Sequence, residues 1–287
     1  MEPPKIIEFQ TITACNAACT VCPWPKVRGA GKPINMKIEI WHKLLQDLRE
    51  IAPRRVIPYL NNEPLTDREI EKKIIEIHKT LKDPEIELST NAKLLSNSRA
   101  QMILESGITE LFISVFGYDT YSQKKIMNLD YQKISKNILG TILLQKKLNV
   151  KTKIIIIQID SPEFDRGLLK QQQLYWENAG AEVRVYGYLD RAGNNNSTES
   201  QRKSFEIPNG CELNRHKERM YVLTDGTVLF CCHDWRVIEP VGNIMESSLL
   251  EIWNSQRYKF IRQMVEGDVD SHLNFICRKC KLSPYKA

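Results

Sequence analysis

Between residues 5 and 189, strand-like runs and helix-like stretches alternate six times, and this rhythm constrains the fold more than any single motif. "KIIEFQT", "RRVIPYL", "EIELST", "ELFISVF", "KTKIIIIQI" and "AEVRVYGYL" have the β-branched and aromatic content of strands. The segments between them repeat their apolar residues at helical spacing. In "IEIWHKLLQDLREIA", Ile38, Trp41, Leu44, Leu45 and Leu48 predict one buried face. "NSRAQMILESG" predicts a helix closing at Gly107. Successive parallel strands need a crossover, and a helix supplies each one here. The class is α/β with a parallel sheet, which a barrel and an open doubly wound sheet both satisfy. No G-x-G-x-x-G follows the first strand, which disfavours a dinucleotide-binding open sheet.

The polar stretch "DRAGNNNSTESQRKSFEIPNG" reads as a linker or surface loop and predicts two domains, 1–195 and 196–287. The start, "MEPPKIIEFQ", lacks the basic and apolar regions of a signal peptide. The most apolar run, "KIIIIQID", has strand length, not the roughly 20 residues of a membrane span. These features predict a cytoplasmic chain without a membrane partner. The net charge of +6 suits an anionic substrate or cofactor but is not concentrated enough to predict nucleic-acid binding.

In a reducing compartment, clustered cysteines point to metal or redox chemistry. The eight here fall into two groups, with none between residues 23 and 210. Cys15, Cys19 and Cys22 form C-x3-C-x2-C directly after the first strand; Cys211, Cys231, Cys232, Cys277 and Cys280 lie in the last quarter. A structural zinc site closes with four ligands. A [4Fe-4S] cluster also normally takes four thiolates, so three leave one iron open for a ligand that is not protein. In a barrel, active sites are built at the C-terminal strand ends. The first cysteine group, "NNEPLTD", "STNAK" and Ser114 all fall at such ends.

C-x3-C-x2-C in this position resembles the signature of the radical S-adenosylmethionine (radical SAM) superfamily. The resemblance implies a partial (β/α)6 barrel in which Cys15, Cys19 and Cys22 hold a [4Fe-4S] cluster. Its open iron chelates S-adenosylmethionine, which the reduced cluster cleaves to methionine and a 5′-deoxyadenosyl radical. Asn61-Asn62-Glu63-Pro64 is similar to the family's G-G-E-P, with Glu63 expected at the methionine ammonium and Asn62 beside it. It departs from that motif in having Asn for Gly, although Asn tolerates left-handed backbone angles. "STNA" resembles the family's S-T-N-G and implies Ser89 and Asn91 near the cofactor. Ser114 matches a residue often placed by the ribose. Val21 stands where an aromatic is usual, and Trp24 is the nearest substitute.

The C-terminal group resembles the SPASM domain in its shortened twitch form. "MYVLTDGTVLFC" predicts a hairpin around Asp225-Gly226, and "SLLEIWNSQRYKFIRQMV" predicts one helix. Cys211, Cys231, Cys277 and Cys280 are the implied ligands of an auxiliary [4Fe-4S] cluster, with a four-cysteine zinc site as the alternative. Cys232 is left over, either a small buried side chain or a hydrogen-atom donor of the kind found in radical SAM epimerases. His233, Asp234 and Trp235 line the pocket or form a polar turn. Arg191, in the loop position of an N-R-G-G stretch in twitch-type dehydrogenases, is a candidate substrate anchor. The lysines around Lys72 and Lys79 read as solvated surface.

The expected activity is hydrogen abstraction from a sugar, aminocyclitol or peptide, followed by two-electron oxidation with the auxiliary cluster as electron acceptor. A separate electron donor such as flavodoxin or ferredoxin is an implied partner. The alternatives are a redox-neutral epimerase using Cys232 and, in a different class, a zinc-binding scaffold. A leader-binding domain ahead of the first strand is not evident, which makes a small molecule the more expected substrate.

Overall fold

A computed structural model describes residues 2–27, 31–160, 165–195 and 206–285. Residues 196–205, the middle of the expected linker, lie outside the described residues. The six expected strands are β1 (Ile6–Phe9), β2 (Arg55–Ile57), β3 (Glu85–Thr90), β4 (Glu110–Ser114), β5 (Lys153–Asp160) and β6 (Glu182–Gly187). Each pairs in parallel with the next. Between them lie α1 (Trp24–Val27), α2 (Ile38–Ile51), α3 (Ile70–Thr80), α4 (Asn97–Glu105), α5 (Thr120–Met127), α6 (Tyr131–Leu148) and α7 (Arg166–Ala179). This is the parallel sheet of a partial barrel. Gly107 takes a left-handed φ of 94° just past α4, where a Cβ would meet the His78 ring at 2.5 Å.

The C-terminal segment contributes α8 (Arg215–Glu218), β7 (Arg219–Val222), β8 (Thr227–Leu229), β9 (Pro240–Asn243), α9 (Leu249–Asn254) and α10 (Gln256–Glu266). The expected hairpin is β7–β8, with Gly226 at φ 84° in its turn. The expected single helix is instead two, because Ser255 takes an extended conformation and its side chain caps α10 through Tyr258 N. β7 lies parallel to β1, so the strands form one sheet in the order β6-β5-β4-β3-β2-β1-β7-β8-β9. The sheet thus continues across the boundary expected near residue 195.

Alternation along β1 sets the two faces of the sheet. Ile7 and Phe9 join the main core with Trp41 and Leu44, whereas Glu8 points to the opposite, inner face. On α2 the buried face is rotated from the one expected: Ile38 is 57% exposed, and Ile40 and Ile51 are buried instead. Among the described residues, no helix is long and apolar enough to cross a membrane.

Asp47, 1% exposed on α2, accepts hydrogen bonds from Lys43 Nζ (2.5 Å) and from Leu249 N at the start of α9 (3.1 Å). It ties the barrel to the C-terminal segment. Asp47→Ala leaves that buried N–H unpaired and is expected to cost about 1–3 kcal/mol. The check is a lower urea midpoint at an unchanged m-value.

Candidate active site

The first cysteine loop leaves β1 and rests on α5, a helix the sequence reading did not identify. Ala18 N donates to Met127 O (3.2 Å) and Thr20 N to Ile126 O (2.8 Å). Cys15 and Cys19 pack against Ala17, Ile126 and Met127. Asp119 and Ser122 cap α5 reciprocally, which fixes this platform. Burial pushes the Cys15 thiol up to about 12 and also raises Cys19 and Cys22; for Cys19 the neighbouring thiols and Glu63 add to it. Three thiols crowded in this way ionise together only beside added positive charge.

Glu63, 3% exposed, sits at the start of the short helical turn Pro64–Thr66. Its carboxylate accepts from Leu65 N (3.1 Å), Thr90 Oγ1 (2.7 Å) and Asn91 N (2.8 Å). It therefore joins the loops after β2 and β3, and about one of its four acceptor positions is left over. Asn91 holds the cysteine loop, donating from Nδ2 to Asn16 Oδ1 (2.7 Å) and accepting from Lys93 N (3.0 Å). Among the described residues, the buried Nδ2 groups of Asn16, Asn61 and Asn62 have no hydrogen-bond partner. Register places Ser89, Phe112 and Ile155 on one face of the sheet, and Ser114 with Ile157 follows on the same face. Ser89 and Glu87 both face the Tyr59 hydroxyl. Trp24 donates from Nε1 to Thr13 O (3.2 Å).

The second group surrounds a small, mostly apolar cavity. Cys211, Cys231, Cys277 and Cys280 all line it, together with Arg215 and His233. Burial raises the Cys277 thiol and takes Cys280 up to about 11. Cys231 belongs to the main core, but its neighbour Cys232 packs with Tyr221, Leu223 and Leu229 on the other face of the hairpin. Tyr221 is in register with Glu8, so Cys232 lies on the inner face of the sheet. Because β8 runs antiparallel to β7, Cys231 and Cys232 fall beyond the Tyr221–Leu229 pair. They therefore sit toward the start of β7, away from the rim that carries Cys15.

The turn after β6 links the two groups. Arg191, Ala192 and Gly193 all have left-handed φ angles (54°, 56° and 75°). Asn195 Nδ2 donates to Val21 O beside Cys22 (2.7 Å), and Asn194 Nδ2 donates to His233 O (3.1 Å). Arg191 Nη1 is 3.5 Å and Arg215 Nη1 3.2 Å from His233 Nε2. Burial, together with these two cations, takes the His233 imidazole down to about 4 against the opposing Cys232 charge. Asp234 makes a satisfied polar turn, accepting from Ile238 N (2.9 Å) and Glu239 N (2.8 Å). Glu8 pairs with Arg219 (2.8 Å); burial, helped by Cys232, pushes its carboxyl up to about 8.

The sequence reading missed Glu8, Arg215, Asn194, Asn195 and Asn16. The position of Glu8 between Ile7 and Phe9 in a strand is a legible signal for an inward carboxyl. Arg215 carries no local signal, since it becomes a site residue only when Cys211 folds toward Cys277 and Cys280.

A family model described as the radical SAM superfamily matches residues 9–161, and one described as an iron-sulfur cluster-binding domain, SPASM, matches 211–281. No curated protein matches. Among solved structures, BtrN in complex with AdoMet and 2-DOIA aligns with a TM-score of 0.66 at 16% identity, covering 96% of this chain and 92% of BtrN. SuiB of Streptococcus suis bound to precursor peptide SuiA gives 0.75 at 15%, covering 98% and 70%. anSMEcpe with bound AdoMet gives 0.65 at 17%, covering 96% and 87%. At these identities the structural likeness shows the fold alone.

The residues fit the groups that the two domains bind. Three crowded thiols on an anchored loop and four around a cavity suit two [4Fe-4S] clusters. The unpartnered amides of Asn16, Asn61 and Asn62 offer donors to a carboxylate such as that of S-adenosylmethionine. Replacing Cys15, Cys19 and Cys22 by Ala is expected to lower the iron content from about eight to about four per chain, because each [4Fe-4S] cluster carries four irons. Anaerobic iron and sulfide assays check this. Glu63→Gln sets an amide NH2 against the donors it now satisfies. It is expected to weaken S-adenosylmethionine binding at least tenfold, about 1.4 kcal/mol, by calorimetry on the cluster-loaded protein.

Proposed function

The chain belongs to the radical SAM superfamily, and from that premise we propose that it oxidises a polar small molecule, a sugar or aminocyclitol, by two electrons. With its cofactors bound, the site supplies hydrogen-atom abstraction at the first cysteine group and an electron acceptor at the second. In this reading Cys15, Cys19 and Cys22 hold the first cluster, and Cys211, Cys231, Cys277 and Cys280 hold the second. Asn62 and Glu63 bind the amino-acid end of S-adenosylmethionine, Asn91 positions the cysteine loop, and Ser89 and Ser114 line the face on which the adenosine and substrate lie. Arg191 anchors the substrate.

The observation that supports this reading is the turn at 190–195, whose adjacent Asn194 and Asn195 hydrogen-bond to His233 O and Val21 O and so join the two cysteine groups. A substrate anchored at Arg191 lies between the radical source and the acceptor. A mixture of Glu8, Arg219, Arg184 and serines on the inner face gives a polar ligand donors and acceptors. A separate reductant, of the flavodoxin or ferredoxin kind, primes the first cluster.

A second reading rests on the inward position of Cys232. There, Cys232 in its protonated form returns a thiol hydrogen to the substrate radical, which gives epimerisation with no net oxidation of the substrate; one electron from the reductant and one proton then restore the thiyl left on Cys232. The test is an anaerobic assay of aminocyclitols, sugars and short peptides in D2O, following 5′-deoxyadenosine and product mass for the natural chain and Cys232→Ala. Oxidation gives a product lighter by two hydrogens, retained in the variant. A product of unchanged formula carrying solvent deuterium, lost in Cys232→Ala, overturns oxidation in favour of epimerisation.

A further inference from the structure

His233 stands between Arg191 and Arg215 on one side and Cys280 on the other. It is 2% exposed and touches both: Nε2 faces Arg191 Nη1 (3.5 Å) and Arg215 Nη1 (3.2 Å), and Nδ1 lies 3.9 Å from Cys280 Sγ. A guanidinium has donors and no acceptor. An imidazole nitrogen facing two of them serves only as an acceptor, so Nε2 carries the lone pair and the ring proton sits on Nδ1. That N–H then points at the Cys280 sulfur. The ring is also held from its backbone: Asn194 Nδ2 binds His233 O (3.1 Å) and Arg191 O (2.8 Å), and His233 N donates to Cys231 Sγ (3.5 Å). A buried ring locked on both sides has little freedom to present the other nitrogen.

We infer that His233 is a positioning residue that donates an Nδ1–H hydrogen bond to the Cys280 thiolate and thereby raises the reduction potential of the auxiliary cluster, with Arg191 and Arg215 fixing its tautomer. The inference rests on the reading of Cys280 as a cluster ligand. Its physical basis is that each added electron makes the cluster and its thiolates more negative. A donor on a ligand sulfur stabilises that charge, and hydrogen bonds to cluster sulfurs are among the main determinants of potential.

The test is an EPR-monitored redox titration of the fully loaded protein, comparing the natural chain with His233→Leu and His233→Asn. The Asn amide places an N–H where Nδ1–H was. The expected result is an auxiliary-cluster midpoint shifted to more negative potential in His233→Leu, mostly restored in His233→Asn, with the first cluster unmoved. An unmoved auxiliary midpoint in His233→Leu, or an equal shift in both variants, overturns the inference. Should the variants lose the cluster, HYSCORE of the natural protein grown on 15N-histidine decides. A histidine nitrogen coupled to the reduced auxiliary cluster supports the bond, and no such coupling refutes it. An iron content near four in the natural chain instead marks failure of the two-cluster reading itself.

Discussion

The parallel pairing of β7 onto β1 is the constraint on which the site depends. Its register, Glu8 with Tyr221, decides which way every residue of the C-terminal hairpin points. Through it Cys231 falls on the core side with Cys277, and Cys232 falls on the inner face with Tyr221. A slip of one residue would exchange the two cysteines, turning Cys231 into the barrel and Cys232 toward Cys277. Asp47 reinforces the same junction from the helical layer through Leu249 N.

Within that frame two loops do the chemical positioning. Glu63 draws the ends of β2 and β3 together, and Asn91 hands that order on to the cysteine loop through Asn16. The turn at 190–195 does the equivalent work across the barrel, and the left-handed Arg191 and Ala192 are the strain accepted to reach both Val21 and His233. Two thiol groups over 180 residues apart in sequence thus bear on one interior.

The first half of the candidate site was legible as a set of positions because those positions are local. Cys15, Cys19 and Cys22 lie on one loop, and Glu63, Asn91 and Ser114 each lie at or just beyond a strand end that periodicity locates. The second half was legible as a group of thiols but not as a place. Nothing in the spacing of Cys211 to Cys280 says which way their hairpin faces. The α5 platform escaped because "TYSQKKIM" is short and polar, and its only strong signal is the Asp119 cap. The rotated face of α2 escaped because Asp47 is buried by a partner 202 residues away.

The sequence by itself determined the α/β alternation, the strand ends at which Glu63, Asn91 and Ser114 fall, and the two groups of thiols, since each rests on contacts between near neighbours or on residue chemistry. Only the tertiary structure decided that the C-terminal strands extend the barrel sheet, that Cys232 faces inward, and that Arg191, Arg215 and Cys280 meet around one histidine. Those outcomes follow from strand register and long-range packing, whose energies are shared among residues too distant in the chain to leave a local pattern.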